Sequence, residues 1–272
     1  MILHYPDRKI AIADSLREAH AVALGDNRLL CRVLGKFKMV LDSRDVSQGP
    51  YLAMDGIYDL NITELLCDTV KQGMVCCDVG ASAGYHTLIM TACAGPTGFT
   101  HAFEPNPRQF TLLKANIEMA DFATRVALSQ EAIGDSAGLG VLLMHRKRFG
   151  GATLSPAMQS SYGLNGDKTN VAITTLDDRL LSRGVEPDFY LISCCAYEAQ
   201  VLRGMKGLLR NKRKVQVLIE AFPKFQADTR AFATELLDQG FSVRRVDGDH
   251  LTPIDDPDQL GRAFKTWLLL SR

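Results

Sequence analysis

The residues of this chain that could do chemistry gather at the ends of short apolar runs. One such run, Val75 to Val79, carries the acid Asp78 and passes through Gly80-Ala81-Ser82-Ala83-Gly84 into Tyr85-His86-Thr87-Leu88. An apolar run, a glycine-bounded turn and a helix-like continuation predict a strand, a tight turn and a helix N-terminus. Gly80 can adopt backbone angles closed to other residues, and Gly84 lets the first helical turn sit close to the strand or to a ligand. The N–H groups of that first turn lack intrahelical partners, so the turn suits an anionic group such as a carboxylate. A second strand-like run, Thr100 to Pro105, contains Glu104 near its end. The spacing from Gly80 to Glu104 fits one β-α-β unit with an acid at the tip of its second strand, placed to hold ribose hydroxyls. Together they predict a site for a nucleoside cofactor.

The glycines narrow the choice of cofactor. A pyrophosphate needs close backbone approach at several points, hence G-x-G-x-x-G, whereas here Ala81, Ser82 and Ala83 separate only two glycines. The missing third glycine counts against a nicotinamide-dependent oxidoreductase. S-adenosylmethionine has no phosphate; its amino-acid end needs a short turn and its ribose needs the acid. It is the cofactor expected here, held by Asp78, Gly80, Ala81, Ser82, Gly84, Tyr85, His86, Glu104 and Pro105.

The wording of the two stretches, DVGASAGYHTL at 78–88 and HAFEPNPRQFTLLKANI at 101–117, resembles the FkbM-type family of S-adenosylmethionine-dependent methyltransferases. That family's pattern runs D-V-G-A-x-x-G-Y-x-T-L and then A-F-E-P-x-P, and the resemblance covers roughly residues 40 to 270. It implies an α/β, Rossmann-like class I methyltransferase fold: a mostly parallel sheet, helices on both faces and an antiparallel C-terminal strand. It also implies methylation of a hydroxyl on a sugar, glycolipid or secondary metabolite. Glu131 and Ala132, at the end of an expected third strand, fall where this fold contacts the adenine, whereas Asp135 is read as an exposed turn.

Methyl transfer from a sulfonium to a hydroxyl is an in-line displacement, so the oxygen must be held about 3 Å from the methyl carbon and lose its proton. In the resembled family the fourth strand reads I-K-I-D-V-E-G-A-E. This chain has Leu191-Ile192-Ser193-Cys194-Cys195-Ala196-Tyr197-Glu198 there, in a register fixed by Asp188 before it and Val201-Leu202-Arg203-Gly204 after it. Ser193 and Cys195 thus replace two carboxylates, and Ala196 replaces a glycine. Neither replacement can take a proton as a carboxylate can, or bind a hard divalent cation through oxygen. No metal is therefore expected. The candidate bases are Glu220, at the end of the fifth strand, and Glu198, followed by His86; Tyr197 is a further candidate and His145 ranks last. An alternative is a catalytically impaired homologue that binds the cofactor and acts as a partner or regulatory protein.

Composition bounds these expectations. Lys+Arg and Asp+Glu both count 31 in 272 residues, which gives no net field toward nucleic acid or an acidic membrane. No apolar run is long enough to span a bilayer, and the N-terminal MILHYPDRKIAIADS meets charge too early for a signal peptide, so a cytoplasmic location is expected. The seven cysteines, at 31, 67, 76, 77, 93, 194 and 195, show neither a secreted disulfide pattern nor C-x-x-C spacing. Cys76-Cys77 and Cys194-Cys195 are expected to approach each other if the first and fourth strands are neighbours.

Around these motifs, residues 1–60 read as an N-terminal extension and 61–272 as the methyltransferase domain. The extension holds a helix at Asp14 to Ala23, a strand at Lys36 to Asp42, and Gly56-Ile57-Tyr58-Asp59, similar to a family element near the cofactor with Asp59 in place of Glu. Helices are expected at Ile62 to Val70, from Pro107, at Tyr197 to Leu209 and at Asp228 to Gln239. Strands are expected at Arg125 to Ile133, Leu139 to Met144, Val171 to Thr174, Val185 to Ile192, Val215 to Glu220, Phe241 to Val246 and Ala263 to Leu270. Phe149 to Lys168 reads as a substrate lid or a disordered segment, and His250 to Gly261 as a turn.

Overall fold

The structure, a computed structural model, describes residues 21–162, 166–211, 214–225, 229–238, 240–261 and 263–272. Asp14 to His20 lie outside the described residues, and Ala21 to Ala23, expected to close a helix, are extended. Gly25-Asp26-Asn27 explains the difference: Asp26 and Asn27 both take positive φ (50° and 56°), which builds the two-residue hairpin turn that Asp and Asn tolerate. Strand β1 (Ala21–Gly25) pairs with β2 (Arg28–Val33), and β2 with β3 (Phe37–Asp42), all antiparallel.

The apolar runs of the sequence form one eight-stranded sheet. Its members are β4 (Val75–Val79), β5 (Phe99–Phe103), β6 (Val126–Ser129), β10 (Phe189–Ile192), β11 (Gln216–Ala221), β12 (Ser242–Asp247), β13 (His250–Ile254) and β14 (Thr266–Ser271). The order is β13-β12-β14-β11-β10-β4-β5-β6. From β6 to β11 neighbouring strands are parallel, and β14 enters antiparallel between β11 and β12. The chain therefore starts mid-sheet, winds to one edge, returns past its start and winds out the other way. This is the Rossmann-like class I methyltransferase order. Strands such as β10, Phe-Tyr-Leu-Ile, are buried throughout because both sheet faces are covered. Leu191 and Leu218 face one core with Leu88, Ile89 and Leu113; Tyr190, Ile192 and Val217 face the other with Val201, Leu202 and Phe232.

The N-terminal strands share the first core, through Cys31, Val33, Phe37 and Met39. Asn116, fully buried on the Pro107–Met119 helix, fixes them in place. Its side chain accepts from Val40 N (2.7 Å) and donates to the carbonyls of Val40 (3.1 Å) and Ala83 (2.8 Å), so β3 is tied to the turn after β4.

Several boundaries differ from expectation for identifiable reasons. The third strand stops at Ser129, and Ala132–Ile133 (β7) joins a separate sheet with β8 (Gly138–His145) and β9 (Gly166–Thr174). The helix expected over Tyr197 to Leu209 is two, Glu198–Arg203 and Lys206–Asn211. Gly204 between them lies against the carbonyl of Gly134, which a Cβ would meet at 1.9 Å, and the Asp177 carboxylate accepts from Gly207 N and Leu208 N at the second start. Phe149 to Lys168 carries a short 3-10 turn (Phe149–Gly151), a helix (Pro156–Tyr162) and the start of β9. His250–Ile254, expected as turn, is an edge strand paired with β12. Cys76 and Cys77 stand opposite Phe189 and Tyr190, so Cys194 and Cys195 lie beyond the strand end and the two pairs are offset. Among the described residues no helix is long and apolar enough to cross a membrane.

Candidate active site

The C-terminal ends of β4, β5, β10 and β11 open into a cleft with two chambers that share Gly80, Ser82, Gly150 and Ser193. Such a crevice is where an open α/β sheet binds its ligands. Gly80 (φ +88°) makes the partition possible. A Cβ there would meet the carbonyl oxygen of Ser193 at 2.0 Å, so only glycine lets the first and fourth strand ends touch. Gly84 (φ +98°) caps the Tyr85–Ala94 helix, but its closeness serves packing: a Cβ would meet Leu113 Cδ1 at 2.8 Å.

The first chamber, about 510 Å³, is walled by Glu104, Ile133, Phe149, Leu154 and Tyr197. Glu104 is held by two backbone donors. Ser82 N reaches Oε2 (2.7 Å) and Asn106 N reaches Oε1 (2.8 Å), leaving lone pairs on both oxygens for a ligand. Burial pushes its carboxyl up to about 7 against the pull of those two N–H groups. Pro105, Glu131 and Ala132 line the same chamber, and Glu131 also receives the Arg179 guanidinium. Asp135 is exposed.

The second chamber lies across the partition and collects Tyr58, His86, Arg148, Glu220, Lys265 and Trp267. Glu220 sits between two partners: Ser193 Oγ donates to Oε2, and Lys265 Nζ lies 2.9 Å from Oε1. Burial opposes the charge of Lys265, yet Glu220 holds its pKa above the ordinary value. His86 is pressed against Tyr58, Tyr85 and Trp267, and its Nε2 is buried without a hydrogen-bond partner among the described residues. Burial, with Lys265 nearby, lowers the imidazole to about 4, so it is neutral at physiological pH. Trp267 is fixed by Nε1 donating to Asp59 Oδ2 (3.1 Å), which gives Asp59 its place beside the site.

Two expected residues are placed elsewhere. Asp78, fully buried, accepts from Thr87 Oγ1 at 2.5 Å and fastens the strand to the following helix; it lines neither chamber. Glu198, expected among the bases, also lines neither. Its Oε1 accepts from Cys194 N (3.0 Å) and Ala196 N (3.1 Å), and burial pushes its carboxyl up to about 8. It braces a strained loop in which Cys195 (φ +52°) and Ala196 (φ +71°) both hold left-handed angles. His145 accepts from Lys147 N and Arg148 N and lies outside both chambers. Gly80, Ala81, Ser82, Tyr85 and His86 are brought together at the cleft, with Gly84 behind them capping the helix. Among the described residues no group of three His, Cys, Asp or Glu side chains is arranged to hold a metal.

Lys265, Trp267 and Arg148 were not anticipated, and Phe149 and Leu154 come from the segment expected only as a lid or a disordered stretch. Lys265 and Trp267 arrive because β14 runs antiparallel, which puts its N-terminal end at the C-terminal ends of its neighbours. A sequence signal existed in the charge and ring that open an otherwise apolar strand, but only strand order gives it meaning.

The chain matches no protein-family model and no curated protein sequence. It is similar in structure to precorrin-6y C5,15-methyltransferase from Geobacter metallireducens, with 14% identity, 79% of this chain and 89% of that chain covered, and a TM-score of 0.44. A SAM dependent methyltransferase from Aquifex aeolicus gives 12% identity, 84% and 95% coverage and a TM-score of 0.43. The O-methyltransferase from Bacillus cereus, solved in complex with SAH, gives 11%, 79% and 82% coverage, and 0.47. Identities and scores this low carry no chemistry across, and the fold assignment rests on the strand order itself.

Proposed function

We propose that the protein is a cytoplasmic S-adenosylmethionine-dependent O-methyltransferase related to the FkbM type, acting on a hydroxyl of a small molecule, glycan or lipid. The observation that carries this is the shared partition. A chamber with a ribose-binding acid and one with a paired carboxylate meet at Gly80, Ser82 and Ser193. The residues fit the donor. Glu104 keeps free lone pairs toward its chamber, apolar Ile133 and Leu154 suit an adenine, and Gly80, where a Cβ would strike the Ser193 carbonyl, lets the two strand ends meet at the partition.

S-adenosylmethionine, when bound, supplies an electrophilic methyl group. The chain's own residues do the rest. Glu104 would hold the ribose hydroxyls, and the Gly80–Ser82 turn, whose own N–H groups are taken by the Phe103 carbonyl and Glu104, would wall the amino-acid end. Glu220 takes the acceptor proton on its carboxylate, with Ser193 and Lys265 fixing its two oxygens. His86 Nε2, neutral and unpartnered, offers the acceptor hydroxyl a hydrogen bond. Tyr58 and Trp267 exclude water around it. Calorimetry with S-adenosylmethionine and S-adenosylhomocysteine tests the donor site; no heat with either, with binding of NAD instead, overturns the proposal. Labelled methyl donor with a panel of hydroxylated sugars and lipids tests transfer. Binding without transfer favours a catalytically impaired homologue.

A further inference from the structure

The rim of the second chamber carries positive charge that the site as described does not use. Arg148 lines the chamber and is exposed, with no ion-pair partner among the described residues. It belongs to the run Arg146-Lys147-Arg148, which the Lys147 carbonyl ties to the N-terminal segment by accepting from Val46 N (2.8 Å). Arg108 and Arg44 lie over the ring of the next residue, Phe149, at 4.6 and 5.8 Å from its centroid. In a chain with no net charge, Arg148 thus stands in the cleft with Arg146 and Lys147 beside it in sequence and Arg44 and Arg108 around the neighbouring Phe149.

The nearby carboxylates leave part of that charge uncompensated. Asp42 pairs with Arg44 (2.6 Å) and Asp167 with Arg146 (3.4 Å). Asp45 is taken up by local donors: Ser47 N and Oγ, Gln48 N, Gly49 N and Phe149 N. Arg108, Lys147 and Arg148 have no carboxylate in ion-pair contact among the described residues, and only Arg148 of the three reaches into the chamber. A guanidinium at the mouth of a cleft with aromatic walls is a ready partner for an oxyanion, through two parallel N–H bonds.

We infer that the methyl acceptor carries an anionic group, a phosphate or a carboxylate, which seats on Arg148 at the rim while its hydroxyl reaches Glu220 and His86. This rests on the methyl-transfer reading of the same cleft. The surrounding cations raise the local concentration of such a ligand.

The test is calorimetry on protein saturated with S-adenosylhomocysteine, using pairs of similar shape and different charge: glucose 6-phosphate against glucose, and 4-hydroxybenzoate against 4-hydroxybenzyl alcohol. The anionic member of at least one pair should bind about tenfold or more tightly than its neutral counterpart, and weaken as ionic strength rises. The pair that responds distinguishes phosphate from carboxylate. Arg148→Gln should remove the preference and Arg148→Lys should retain part of it, with S-adenosylhomocysteine affinity as the control for folding. Failure of S-adenosylhomocysteine to bind overturns the donor site. Its binding with no charge preference in either pair, or with a preference that survives Arg148→Gln, overturns this inference alone.

Discussion

The two chambers of the cleft are built on different principles. The chamber proposed for the donor centres on one β-α-β unit: Gly80, Ser82 and Glu104 lie within a short span, and backbone N–H groups fix the acid. The chamber proposed for the acceptor draws Tyr58, His86, Arg148, Glu220 and Lys265 from remote segments and fixes its acid with side chains, Ser193 and Lys265. A site made from backbone tolerates little change at its turn, whereas one made from side chains can be rewritten one residue at a time. Ser193 and Cys195, just past the end of β10, both line this second chamber.

This contrast breaks if the two acids cannot be separated by function. Glu220→Gln should lower methyl transfer by about 10²–10⁴-fold, measured with labelled donor, because it removes the proton acceptor. Donor affinity should stay unchanged, since Glu220 does not line the donor chamber. Loss of donor binding in that variant would show the chambers to be one unit.

Glu104→Ala should do the reverse. Removing a charged acceptor worth roughly 1.5–3 kcal/mol weakens donor binding by about ten- to a hundred-fold in calorimetry. A smaller change would move the ribose contact to another residue.

The protonation of Glu104 sharpens the comparison further. With its carboxyl near 7 in the free protein, the ionised form that accepts two hydroxyls is the minority at pH 6. S-adenosylhomocysteine affinity should therefore rise by up to about tenfold from pH 6 to pH 8, with proton release on binding below pH 7. Buffers of different ionisation enthalpy will report the released proton, and a flat profile would mean Glu104 is already ionised. The same elevation has a stability consequence of fixed sign. An acid raised by folding contributes most below its unfolded pKa, near 4.3, and that contribution is lost as pH rises through about 7.

The smallest expected effect lies in the loop between the chambers. Ala196 holds φ +71°, an angle that glycine adopts without a Cβ clash. Ala196→Gly should stabilise the protein by about 0.5–1 kcal/mol, the relief of strain exceeding the added entropy of the unfolded chain. A thermal melt should then rise by about 1–4 °C. A fall would show that Cys195 and Glu198 already accommodate the angle.

The sequence by itself determined the strand-turn-helix at Val75 to Leu88, the acid at Glu104 and the alternation that makes a doubly wound sheet. These are local: hydrophobic period, glycine placement and the length of one β-α-β unit act within tens of residues. It also placed Glu220 at a strand end. Tertiary structure alone decided which acids reach the cleft. Asp78 and Glu198 have the same chemistry as Glu104 and Glu220, but Thr87 and the Cys194–Ala196 loop each hold one of their oxygens away from both chambers, and no spacing rule reveals such a partner. It likewise decided that Lys265 and Trp267 face Glu220 and His86, because side chains some forty-five and one hundred and eighty residues apart meet only once β14 is inserted antiparallel beside β11.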